Sequence, residues 1–115
     1  MGKHKGGCHC GNIAYEFEGE IGDALECNCS LCAKRGSLLA FYPATAFTLS
    51  TPRAKLATYH FNKGVIDHHF CPDCGVAPFA ETENKGVKMV AVNLRCVEGV
   101  DTQALKVNHY NGRDS

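Results

Sequence analysis

A chain of 115 residues holds one ordinary domain with a modest core, and 44% apolar with 9% aromatic residues is a globular composition. Twelve basic residues balance twelve acidic ones, so no net field draws nucleic acid or an anionic membrane. The longest apolar runs, about residues 38–42 and 89–92, fall far short of the roughly 20 residues that cross a bilayer.

Residues 1–6 are Gly- and Lys-rich and read as a disordered N-terminal segment, ahead of a single domain over 7–115. No apolar stretch follows the early basic residues, so the expectation is a chain without a signal peptide, in the reducing cytoplasm. Its eight cysteines are then thiols or metal ligands rather than disulfides. Geometry agrees, because Cys-x-Cys neighbours on an extended chain point to opposite faces and pair poorly.

Cys8-His9-Cys10-Gly11-Asn12 reads as a turn carrying ligands, and residues 13–18 alternate as a half-buried strand. A short strand at 24–29 enters Cys27-Asn28-Cys29-Ser30-Leu31-Cys32. One helical turn follows, with Ser30 as its cap and Gly36 as its end. Strands are expected at 38–42, 47–50 and 54–62, with a hairpin-like turn at Asn62-Lys63-Gly64. The strand at 65–70 runs into Cys71-Pro72-Asp73-Cys74-Gly75, whose Pro and Gly suit a two-cysteine turn. Residues 81–86 read as a polar loop, 87–94 as the strongest strand and 104–110 as a last one. Tyr15, Phe17, Phe41, Tyr59, Phe61, Phe70 and Phe79 are assigned mainly to the core. Many short strands with little helix make a mainly β domain.

Seven of the eight thiols therefore fall into three tight groups. Zinc suits thiolate and accepts tetrahedral geometry, and a closely spaced pair lets one turn supply two ligands. Cys8 and Cys10 with Cys71 and Cys74 make a closed structural set. Cys27, Cys29 and Cys32 remain, and three protein ligands with an open position describe a zinc site for thiol chemistry. Cys96, His9, His68 or His69 could instead supply a fourth ligand and close this set too. By default Cys96 is a packing residue, one of His68 and His69 faces outward, and Lys34-Arg35 is a solvated pair that an anionic substrate would use.

Gly7-Cys8-His9-Cys10-Gly11, the Cys27–Cys32 motif, His69-Phe70-Cys71-Pro72-Asp73-Cys74-Gly75 and Val92-Asn93-Leu94-Arg95-Cys96 together resemble the glutathione-dependent formaldehyde-activating (GFA) family, also called the centromere-protein-V/GFA domain. Phe61-Asn62 and Asn111-Gly112-Arg113-Asp114 look like further family features. The resemblance implies an Mss4-like fold of small antiparallel sheets and two zinc ions. It implies a structural ion on Cys8, Cys10, Cys71 and Cys74, and a catalytic one on Cys27, Cys29 and Cys32. It further implies a carbon–sulfur lyase that joins formaldehyde to glutathione, with no nucleic acid or membrane as partner. A zinc-stabilised module that binds a thiol, peptide or protein without turnover is the rival expectation. Nucleic-acid binding is disfavoured by the balanced charge and the lack of a basic helix.

Overall fold

The structure is a computed structural model that describes residues 2–60 and 66–111. The expected Asn62-Lys63-Gly64 turn, Phe61 and the 112–115 tail lie outside the described residues.

Tyr15 and Phe17 alternate with Glu16 and Glu18 along β2 (Ala14–Gly19), so one face is apolar and must be covered. β1 (Gly2–Gly7) pairs antiparallel with it, setting Lys3 opposite Glu18 and Lys5 opposite Glu16. Residues 2–6 are thus strand rather than a disordered segment. The glycines that suggested fraying are demanded by close approach. A Cβ at Gly7 would lie 2.2 Å from the Ile13 carbonyl oxygen, and one at Gly6 would lie 2.7 Å from the Tyr15 hydroxyl. β5 (Phe47–Leu49) joins the other edge of β2 and completes a three-stranded sheet.

The second sheet has seven strands. In spatial order they are β10 (Val107–Tyr110), β3 (Ala24–Cys27), β4 (Leu39–Pro43), β9 (Val87–Asn93), β8 (Phe79–Asn84), β7 (Ile66–Phe70) and β6 (Ala57–Tyr59). All its pairings are antiparallel except β10 with β3, which is parallel. The fold is mainly β with one short helix, α1 (Ser30–Arg35), as expected, although this sheet is larger than expected. Of the expected strand at 54–62, the described residues show β6 only, because 53–55 coil into a 3-10 turn after Pro52.

Residues 81–84 are strand rather than loop. Glu81 is polar but has partners on the sheet: it accepts from His69 and from Arg53. The loop contracts to Lys85-Gly86, both left-handed at φ 52° and 83°, as a two-residue hairpin between twisted strands requires.

Register decides the two faces of this sheet. Tyr42, Val90 and Val92 point toward the three-stranded sheet and pack with Tyr15, Phe17, Phe47 and Phe79. Ring centroids are 4.7 Å apart for Phe17–Tyr42, 4.9 Å for Phe47–Phe79 and 5.6 Å for the edge-on Tyr15–Phe79 pair. The buried Tyr15 hydroxyl donates to the Pro78 carbonyl at 3.1 Å. Tyr15→Phe removes that bond, while the Pro78 carbonyl still accepts from the Asn93 N–H at 3.0 Å. The variant is expected to lower stability by about 0.5–1.5 kcal/mol, the net worth of one hydrogen bond, read as a shifted denaturant midpoint with an unchanged slope.

Leu39, Phe41, Ala91, Asn93, Ala80, Thr82, Ile66 and His68 alternate with the core residues and face the other way, into a cavity. Phe41 and Tyr59 were expected in the core but are 46% and 47% exposed, since each pairs on this open face. No helix among the described residues is long and apolar enough to cross a membrane.

Candidate metal centres

Cys8 follows β1 directly, and its backbone N–H donates to the Ile13 carbonyl at 3.0 Å. The returning N–H of Ile13 donates to Cys8 Sγ at 3.2 Å, with Gly11 left-handed at φ 87° in the turn. Cys71 follows β7 in the same manner. The Cys74 N–H reaches Cys71 Sγ at 3.4 Å, the Gly75 N–H reaches the Cys71 carbonyl at 2.8 Å, and Gly75 has φ 80°. Asn12 donates to Asp73 and ties the two turns together.

The four sulfurs lie within 4.8 Å of one another, with Cys8–Cys10 at 3.7 Å and Cys10–Cys71 at 3.5 Å. A tetrahedron with 2.3 Å arms has edges of about 3.8 Å, so this group fits zinc. The backbone N–H of Val76 chiefly pulls the Cys74 thiol down to about 6, against burial. Cys10 moves the other way. The Asn12 N–H lowers it, but hydrogen bonds with Cys71, Cys8 and Cys74 together with burial push it up to about 12, so ionising the whole set needs a cation. Cys71 is fully buried within the core, so the clamp and the packing share a residue.

Cys27 ends β3, Cys29 precedes α1 and Cys32 lies in its first turn. Their three sulfurs also lie within 4.8 Å of one another. Cys29, not Ser30, is the N-cap: its sulfur accepts from the Cys32 N–H at 3.4 Å. Cys27 Sγ accepts from the Cys29 N–H at 3.4 Å, so a ligand group replaces the usual hydroxyl. Gly36 closes the helix in the left-handed region, with φ 69°, and its N–H reaches the Cys32 carbonyl at 2.9 Å.

Burial, then the hydrogen bond and charge of Cys29, pushes the Cys32 thiol up to about 12. For Cys29, burial is the largest single influence and raises the thiol. The Cys32 N–H, the neighbouring thiols and the Leu31 N–H together outweigh it and lower Cys29 below its ordinary value. Cys29 and Cys32 thus divide charge unequally, and ionising both needs a cation beside them. This soft sulfur set also fits zinc.

Among the described residues, no fourth ligand-type side chain joins the group. Cys96 lies toward the other cluster: burial, then charge on Cys8 and Cys74, pushes its thiol up to about 11. His9 is exposed, between two ligands of the four-cysteine group.

His68 and His69 part company. His69 is buried on the core face of β7, where its Nε2 donates to Glu81 at 2.6 Å and its Nδ1 meets the Thr58 hydroxyl at 2.9 Å. His68 faces the cavity. Burial first, then the positive charge of Arg35, lowers its pKa below the ordinary value of 6.5.

That cavity, of about 520 Å³, has Cys27, Cys29 and Cys32 at one end and the open face of the sheet as its floor. Arg35 lines it from α1, with its guanidinium 5.8 Å from the Phe70 ring centroid. A second cavity of about 440 Å³ meets Cys27 and Cys32 from the other side, lined by Glu26, His109 and Tyr110 among others. Sequence reading named every cysteine here, but it put Phe41 in the core and did not single out Ala80 or Ala91. Alternation along β4, β8 and β9 was the signal for them, and it acquires meaning only once the register is known.

The crystal structure of a Rhodobacter sphaeroides protein superposes with a TM-score of 0.79 at 28% sequence identity, covering 90% of this chain and 99% of that one. The family model described as "Glutathione-dependent formaldehyde-activating enzyme" matches residues 3–112. With its mainly β architecture and its cysteine groups able to hold zinc, the chain belongs to the glutathione-dependent formaldehyde-activating enzyme family.

Proposed function

We propose that this chain is a zinc-dependent carbon–sulfur lyase that adds a small aldehyde to a thiol such as glutathione, or removes it. One observation carries the reading. The three thiols of Cys27, Cys29 and Cys32 stand at the end of a 520 Å³ cavity, with no fourth ligand-type side chain among the described residues. Cys8, Cys10, Cys71 and Cys74 hold a structural zinc, and Cys27, Cys29 and Cys32 hold the catalytic one. Zinc at the second site supplies deprotonation of a substrate thiol at neutral pH. Eight free cysteines fit a reducing, cytoplasmic setting.

The step is an addition in which the thiol sulfur bonds to the carbonyl carbon while the C–O π bond breaks. The thiol proton ends on the new hydroxyl oxygen. The cavity walls hold the two reactants together, which converts a bimolecular encounter into an effectively unimolecular step. His68 lines the same cavity and moves the proton between sulfur and oxygen. Its depressed pKa keeps it neutral at pH 7, the form that accepts a proton.

The test is exchange NMR of formaldehyde with glutathione on protein carrying two zinc ions. A rate above the uncatalysed reaction is expected. Binding with no added rate would instead make the chain a non-catalytic thiol-binding module.

The pH profile has a fixed sign. The working form of His68 is neutral and its pKa lies below 6.5, so activity rises with pH through that lower value. The limb levels off once His68 is fully neutral, at a lower pH than an ordinary histidine would give. His68→Gln is expected to remove the acid limb and lower the rate by roughly 10²-fold, measured as kcat against pH.

A further inference from the structure

The cavity beside Cys27, Cys29 and Cys32 has a chemical character of its own. Across five strands of the open face, cross-strand partners run Tyr59–His68–Ala80–Ala91–Phe41. Ala80 and Ala91 are the small pair in the middle. His68 and Phe41 stand on either side, three strand spacings apart, or about 14 Å. Two alanines between larger neighbours make a slot, and Leu31, Leu39 and Ile66 extend its apolar lining. Such a slot removes a flat or chain-like hydrocarbon from water, at roughly 25 cal/mol per Å² buried.

Charge in this cavity is one-sided. Arg35 is the one formally charged residue among its described lining residues, and no carboxylate accompanies it. Glu26, beside Cys27 in the chain, lines the other cavity and pairs with His109 at 3.2 Å. Glutathione carries two carboxylates, one ammonium and two peptide groups. An ammonium and unpaired amides in an apolar slot cost several kcal/mol without partners.

We propose that this site takes a thiol with an apolar body and a single carboxylate. The sulfur lies at the three cysteines, the body over Ala80 and Ala91, and the carboxylate on Arg35. This rests on the thiol–aldehyde reading above and specifies its substrate class. The body belongs to the thiol because the slot runs continuously from the cysteines where sulfur must sit.

The experiment is calorimetric titration of the zinc-loaded full chain with three probes: 2-mercapto-3-phenylpropanoate, glutathione and 3-phenylpropanoate. The phenyl thiol is expected to bind at least tenfold more tightly than glutathione. Ala91→Leu fills the slot and is expected to weaken the phenyl thiol at least tenfold. Arg35→Gln, on the short exposed helix, is expected to weaken it about tenfold while sparing its methyl ester. This second variant keeps the test open if Ala91→Leu does not fold. Tighter binding of glutathione, or no loss in either folded variant, overturns the substrate class and leaves the thiol chemistry standing. Equal binding of the thiol-free 3-phenylpropanoate overturns the thiol reading itself. Turnover assigns the body: faster reaction of glutathione with phenylacetaldehyde than of the phenyl thiol with formaldehyde overturns its placement on the thiol.

Discussion

Cys71→Ser is expected to abolish the cooperative thermal transition and to reduce bound zinc by one ion per chain. Cys71 is fully buried in the aromatic core and is also one of four sulfurs in the proposed structural site. Its partners Cys8 and Cys10 lie about 60 residues away in sequence, so the group ties the turn after β1 to the turn between β7 and β8 of the large sheet. Structural zinc in such thiolate sets supplies about 10–16 kcal/mol of apparent binding free energy. A domain of this size has a net stability of about 5–15 kcal/mol, so loss of the site exceeds or matches everything that holds the fold. Serine nearly preserves volume, so without a metal role the change costs only about 1–3 kcal/mol for the buried hydroxyl and leaves a cooperative transition. Calorimetry with metal analysis separates the two. A surviving cooperative transition, with zinc content unchanged, would show that Cys71 serves packing rather than metal. A strong chelator should reproduce the variant's behaviour on the unaltered protein.

Cys32→Ala is expected to do the reverse, ending activity while preserving the fold. Cys32 is half-buried in α1, whose ends are held by the Cys29 cap and by Gly36. Burial and its neighbours push its thiol to about 12, so without a cation it ionises after Cys29. Removing it leaves two ligands, too few for a firm zinc site. The expected result is one zinc ion per chain instead of two and a rate at least about 10³-fold lower, equivalent to about 4 kcal/mol of barrier. The melting temperature should stay close to the parent. A folded Cys32→Ala protein with full activity would sink the catalytic role proposed for this set. The two substitutions therefore form a pair: one thiol for the fold, one for the reaction.

What could be read ahead of the structure followed from local spacing. Two ligands within four residues must be presented by one turn, wherever that turn lies in the fold. This made Cys8/Cys10, Cys27/Cys29/Cys32 and Cys71/Cys74 legible as groups. The same locality made β2 and β9 legible, since alternation is a property of a few consecutive residues. Local reading erred where partners came from far along the chain. The glycines of β1 looked like fraying, but Gly7 is required by the approach of Ile13. Glu81 looked like loop, but His69 and Arg53 receive it on a central strand.

By itself, then, the sequence determined a mainly β domain carrying thiol groups of metal-ligand spacing, because both follow from neighbours within a few residues. The tertiary structure alone decided which face each strand residue serves. It set His68 on the cavity and His69 in the core, moved Phe41 out of the core and placed Cys96 toward the four-cysteine group. The physical reason is register. A strand's side chains alternate with period two, and a shift of one residue against its partner exchanges the two faces.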